Sequence, residues 1–150
     1  MATIIIKWGD PHSGHLEMSD GGHTDANRSE SITWTLGQKC GVKFISNIDV
    51  KAPSPINIIW ERKPHRIGTS DNWEAKIHKD SRDHSEYNYF ISWMPAGADP
   101  DPAHPIKIFD PKIAVKPDNK SFLQLLIIAI TSALAAIFSI ILFNKRRNIK

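Results

Sequence analysis

The chain has 150 residues, of which 19 are lysine or arginine and 16 are aspartate or glutamate. All 16 acidic residues and 15 of the basic ones precede Ser121, so the basic excess belongs to a short C-terminal tail and argues against a nucleic-acid-binding domain. The only cysteine, Cys40, excludes an intramolecular disulfide and a cysteine-based zinc site.

The first half of the chain alternates between short apolar runs and turn residues. Gly9-Asp10-Pro11 ends the first run, and the polar stretch His12–Arg28 indicates a loop that contains one short strand. The runs that follow show the period-two alternation of half-buried strands. The strands predicted in this half are Thr3–Trp8, His15–Met18, Ser29–Leu36, Val42–Val50 and Ile56–Trp60.

The second half continues this pattern, with longer polar connections. Charged residues dominate Glu61–Asp71, which predicts a loop, and the prolines of Met94–Pro105 predict an extended loop. Asn72–His78 and Glu86–Trp93 both alternate, and the polar residues between them predict that they pair as a hairpin. The last two predicted strands are Ile106–Phe109 and Lys112–Val115.

Seven to nine short strands without an amphipathic helix predict an all-β fold for residues 1–116, an antiparallel β-sandwich. The segments SESITWTLGQ, YNYFISWM and FDPKIAVKP resemble the strand pattern of small immunoglobulin-like or cupredoxin-like sandwich domains, across Ser29–Pro117. Copper-binding members of the second group place a histidine and a methionine close after the cysteine. Here Gly41-Val42-Lys43-Phe44 follow Cys40, so the resemblance implies the fold and not the copper centre.

Ser121–Phe143 is the most apolar part of the sequence, with 23 residues and no charge. A helix of this length spans about 34 Å, enough to cross a hydrocarbon core of about 30 Å. The sequence therefore predicts a linker at 117–120, one transmembrane helix at 121–143 and a basic tail at 144–150. The membrane-flanking basic residues are Lys120, Lys145, Arg146, Arg147 and Lys150.

Two signals disagree about which side of the membrane the domain occupies. The dense basic tail favours a cytoplasmic C-terminus. The N-terminus MATIIIKWGD lacks the pattern of a secretory signal, which favours a tail-anchored protein with a cytoplasmic domain. We expect the cytoplasmic arrangement, and the opposite topology stays open.

Small residues recur four apart within the predicted span. They form the pairs Ala129 and Ala133, Ser132 and Ala136, and Ala135 and Ser139. Small side chains let helices approach closely in a bilayer, so these positions predict self-association or docking to a partner helix, with a passive anchor as the alternative.

Histidines and tryptophans offer two alternative functions. His12, His15 and His23 lie in one polar stretch beside carboxylates, a set of ligands that suits zinc or copper. The five tryptophans fall in or beside predicted strands, where most are expected in the core; any exposed one is a candidate for stacking on a glycan.

The sequence lacks a phosphate-binding glycine loop, a G-x-S-x-G elbow and an H-E-x-x-H motif. We therefore expect a protein that is not an enzyme and needs no cofactor. The preferred interpretation is a single-pass β-sandwich protein that contacts the lipid bilayer and binds a protein partner, or itself, at the membrane. The alternatives are a metal-binding domain that uses the histidine loop and a glycan-binding domain.

Overall fold

The computed structural model describes residues 1–51, 59–82, 85–97, 101, 103–117 and 130. The chain divides into two compact units, Met1–Pro117 and Asp118–Lys150. Ile130, which is helical, is the one residue of the predicted span that is described. The rest of the span, with its small-residue positions, lies outside the described residues. The same holds for the flanking basic residues, the tail and the linker after Pro117. Within the described part of the chain, no helix has the length and apolar character needed to cross a membrane.

The described residues of the first unit form ten strands in two sheets. The first sheet has the order β2-β1-β4-β7-β6, and the second has the order β3-β10-β8-β5, with β9 also paired to β8. The strands are β1 (Ala2–Gly9), β2 (Leu16–Met18), β3 (His23–Ala26), β4 (Ser31–Leu36), β5 (Val42–Val50), β6 (Trp60–Arg66), β7 (Trp73–Ile77), β8 (Glu86–Pro95), β9 (Lys107–Phe109) and β10 (Lys112–Val115).

The core lies between the two sheets and follows the predicted alternation. In β7, Trp73, Ala75 and Ile77 are buried, while the residues between them are partly exposed. In β8, Tyr87, Tyr89, Ile91 and Trp93 all face inwards with at most 2% exposure. Since successive strand residues point to opposite faces, each sheet contributes one apolar face to a common core. The prediction of an all-β sandwich is confirmed.

The prediction that the sandwich is antiparallel is wrong, because both sheets are mixed. β1 pairs with β4 in parallel, from Ala2 opposite Ile32 to Ile6 opposite Leu36. β3 pairs with β10 in parallel, from His23 opposite Lys112 to Ala26 opposite Val115. These partners are distant in sequence, and alternation within a strand carries no information about the direction of its neighbour.

The predicted hairpin of Asn72–His78 with Glu86–Trp93 is also wrong, because the two segments belong to different sheets. β7 pairs with β4 and β6, whereas β8 pairs with β5, β9 and β10. The buried faces of β7 and β8 therefore meet across the core. The polar run between them connects the two layers and does not form a turn within one sheet.

The strand β6 occupies most of the segment Glu61–Asp71, whose many charged residues had indicated a loop. Arg62 forms an ion pair with Glu74 of β7, and Lys76 of β7 lies 2.8 Å from Glu61. Cross-strand pairs of this kind, and a proline, are tolerated on a sheet edge. Of the predicted strand Ile56–Trp60, residues 56–58 lie outside the described part. His12–Arg28 contains two short strands, β2 and β3, where one was expected, which brings the total above the predicted seven to nine.

Candidate interaction surface

The outer face of the second sheet carries an apolar strip formed by Phe44, Phe90, Ser92, Met94 and Ile108. Phe90, Ser92 and Met94 alternate in β8 with the buried residues Tyr89, Ile91 and Trp93, which assigns them to the outer face. They run along the centre of the sheet, since β8 has partners on both sides.

Strand register places the other two members beside β8. Phe44 of β5 lies opposite Met94, and Ile108 of β9 lies opposite Ser92. Residues directly opposite each other in neighbouring strands share a face, with their Cβ atoms about 4.5–5.5 Å apart. The strip is therefore continuous across three strands, with Phe44 on one flank of β8 and Ile108 on the other.

These side chains are accessible to solvent to different degrees. Ile108 is 61% exposed, Phe44, Phe90 and Met94 are half-buried, and Ser92 is buried at 9%. The nearby Ile106, just before β9, is 40% exposed. None of these apolar residues packs against the core. A contiguous group of exposed apolar side chains on one face is a feature of binding surfaces, whereas scattered ones are ordinary.

The outer face of the first sheet differs in composition. Its strands carry the ion pairs Arg62–Glu74, Lys76–Glu61 and Lys7–Glu17, the last at 4.0 Å. Two apolar residues of β1, Ile5 and Trp8, are exposed on this unit at 43% and 48%. Ion pairs also occur on the second sheet, between Lys112 and Glu86 and between Lys116 and Asp25, so the two outer faces differ in the apolar strip and not in their ion pairs.

The edge strands of the two sheets are β2, β6, β3 and β5, of which β2 and β3 are only three and four residues long. β5 carries two register irregularities, and the guanidinium of Arg66 donates to the carbonyl oxygen of Ile45 at 3.3 Å. β6 contains Pro64, which has no N–H to donate. Bulges, prolines and charges on edge strands oppose strand addition, so recognition is favoured through the sheet face.

The inner side of β8 fixes the strip on a rigid support. The indole N–H of Trp34 in β4 donates to the hydroxyl oxygen of Tyr89 at 3.2 Å, which links the two sheets through the core. The indole N–H of Trp93 donates to the carbonyl oxygen of Gly14 at 3.1 Å. Burial raises the pKa of Tyr89, so its hydroxyl stays protonated at all physiological pH values.

The three predicted metal ligands lie in different surroundings. The His15 ring packs edge-on against Phe109, with the ring centroids 4.9 Å apart, and the exposed His23 lies 3.8 Å from the carboxylate of Asp25. His12 is exposed in the turn that follows Asp10. Among the described residues, no group of three or more histidine, cysteine, aspartate or glutamate side chains is placed to hold a metal ion. Cys40 is buried and has a free thiol.

Four of the five tryptophans belong to the core, as expected. Trp34 and Trp93 are fully buried, and Trp60 and Trp73 are 7% and 8% exposed. A glycan therefore has no stacking surface on any of these four. Trp8, at 48% exposure, is the tryptophan that remains accessible.

Sequence reasoning missed the strip, although one signal was present. Tyr89-Phe90-Ile91 places apolar side chains on both faces of one strand, which a half-buried strand does not need. The other members are spread over β5 and β9, and their proximity to Phe90 depends on strand order and register. No protein-family model matches this chain, and the search of curated proteins finds no match either.

Proposed function

We propose that this protein is a non-enzymatic interaction component at a membrane, a β-sandwich anchored by one C-terminal helix at 121–143. The apolar strip on the second sheet is the surface that binds a protein partner. The observation that carries the proposal is the continuity of this strip across β5, β8 and β9 on the outer face of the second sheet.

The domain is of the immunoglobulin-like or cupredoxin-like kind, without a copper centre. It faces the cytoplasm, and the basic residues beside the span contact lipid headgroups. Tethering confines the domain to two dimensions, which raises the effective concentration of weak contacts.

Site-specific photo-crosslinking in native membranes tests this proposal. A benzophenone amino acid replaces Phe90 in the full chain, and the matched control carries it in place of Ile5, an exposed residue of the first sheet. We expect a discrete protein adduct from position 90, identified by mass spectrometry, and none from position 5. Equal labelling at both positions, or adducts with lipid alone, would contradict the proposed interaction surface.

Membrane attachment is tested separately by alkaline extraction. The full chain is expected to stay with the membrane pellet, and a chain ending at Pro117 is expected in the supernatant. Release of the full chain by alkali would refute the anchor while leaving the crosslinking result to be judged on its own.

A further inference from the structure

We infer that the partner of the apolar strip is a second copy of this chain, packed face to face about a two-fold axis parallel to β8. This inference rests on the proposed function, because it names the partner of the same surface.

The strip has the arrangement that a two-fold contact requires. An isologous interface presents the same patch on both subunits. With the axis along β8, each outward-facing residue of β8 lies opposite the same residue of the second copy. The small Ser92 lies at the centre of this row and allows the two copies to approach closely. The same axis exchanges the two flanks and keeps the height along β8. Phe44 of one copy, level with Met94, therefore lies on the same flank as Ile108 of the other copy, which is level with Ser92.

Charges beside the strip are complementary under the same symmetry. Asp49 lies on the β5 flank, opposite Phe90, and Lys112 lies on the β10 flank, opposite Asn88. Exchange of flanks brings Asp49 of one copy towards Lys112 of the other. Within its own chain, Lys112 has Glu86 at 3.4 Å and both side chains are about half exposed, so Lys112 remains available to a second carboxylate.

The direction of chain exit selects this axis over the alternative. Two copies anchored in one membrane must direct their Val115 ends to the same side. A two-fold axis parallel to the strands keeps both ends together, whereas an axis perpendicular to the strands and parallel to the sheet directs them to opposite sides. The anchor also raises the effective concentration of each copy for the other, so a small apolar strip suffices.

The oligomeric state of the full chain in lipid nanodiscs or vesicles tests the inference. Single-molecule photobleaching is expected to show dimers whose fraction rises with surface density. Ile108→Glu places a carboxylate within the apolar contact, on the flank that carries Phe44 of the second copy, and is expected to weaken dimerisation at least tenfold. Ile5→Glu, the matched change on the first sheet, is expected to leave the dimer fraction unchanged.

A cysteine variant keeps the test independent of any folding defect in Ile108→Glu. Met94→Cys is expected to form a disulfide-linked dimer on mild oxidation, because Met94 lies on β8 close to the axis, whereas Ile5→Cys is expected to remain monomeric. The native Cys40 is 3% exposed and does not compete. Near-ultraviolet circular dichroism of the buried tryptophans verifies that each variant is folded.

Three outcomes would overturn the inference. The first is a wild-type chain that is monomeric at all densities. The second is a folded, dimeric Ile108→Glu variant together with a monomeric Ala133→Ile variant, whose substitution lies in the predicted span. The third is a crosslink from position 90 to a protein other than this chain. The last outcome refutes the inference that the partner is a second copy of this chain, but it leaves the proposed interaction function intact. Absence of any protein adduct at position 90 refutes both.

Discussion

Two tyrosines of β8 provide a matched test of how the core supports the candidate surface. Tyr87 and Tyr89 lie two residues apart on the same inward face and are 2% and 0% exposed. The Tyr89 hydroxyl accepts the indole N–H of Trp34 at 3.2 Å and interacts with the side chain of Thr24. The Tyr87 hydroxyl is buried without a hydrogen-bond partner in the described structure.

The same substitution is expected to have different effects at the two positions. Tyr89→Phe leaves the indole N–H of Trp34 buried and unpaired, at a cost of about 1–3 kcal/mol. Tyr87→Phe removes a hydroxyl that already lacks a partner, so the free energy of unfolding stays the same or rises by up to about 1 kcal/mol. An entropy of unfolding of about 2.1 cal/mol/K per residue over this domain converts 1 kcal/mol into a shift of about 4 °C in Tm.

Thermal unfolding of the two full-length variants, followed by near-ultraviolet circular dichroism in one detergent, provides the comparison. We expect Tyr89→Phe to melt about 4–12 °C below wild type and Tyr87→Phe to melt at or slightly above it. Equal losses in the two variants, or a larger loss in Tyr87→Phe, would refute the assignment of the Trp34–Tyr89 hydrogen bond as the link between the sheets.

Two further predictions concern backbone space and pH. A Cβ at Gly9 would lie 2.9 Å from the indole Cη2 of Trp93, so Gly9→Ala is expected to lower the free energy of unfolding by about 1–3 kcal/mol in chemical denaturation. Gly97 has open space around it, so Gly97→Ala is expected to change the free energy of unfolding by no more than about 0.5 kcal/mol. Equal effects of the two substitutions would contradict the packing at Gly9. Burial alone would raise the pKa of Glu30, but hydrogen bonds from Asn27 and from the N-terminal ammonium outweigh it and lower the pKa below 4.5. Because the folded pKa is lowered, the charge of Glu30 stabilises the fold above pH 4.5, and this contribution is lost as the pH falls through the lowered value. Wild type is therefore expected to be more stable than Glu30→Gln by about 0.5–1 kcal/mol at pH 7, and this difference is expected to fade on acidification. A difference in stability that stays constant with pH would contradict the prediction.

The bounds of two long strands rich in alternating apolar residues were predicted well from sequence. Val42–Val50 has the predicted bounds, and β8 differs from its prediction by two residues at one end. Alternation defines a strand because one face is buried and the other is solvated, which is a local property. The direction and identity of neighbouring strands are not local properties. The alternation of residues within a strand therefore could not predict the mixed sheets or the separation of β7 from β8.

Residues with two roles account for the remaining differences. Glu61 and Arg62 are typical of a loop by composition, yet they pair across an edge strand with Lys76 and Glu74. Phe90 breaks the alternation of β8 because both faces of that strand are apolar. Its significance follows only from the positions of Phe44 and Ile108, which the fold brings beside it from distant segments.

Hydroxyl-radical footprinting tests the central claim, that the strip is a protein-binding surface, without any substitution. The full chain is oxidised in native membranes and as a dilute purified protein, with the exposed Trp8 as the accessible reference and the buried Met18 as the protected one. We expect Met94 and Phe90 to be protected several-fold in membranes, while Trp8 reacts equally in both samples. Equal oxidation of Met94 and Phe90 in the two samples would show that the strip is unoccupied and would contradict the claim.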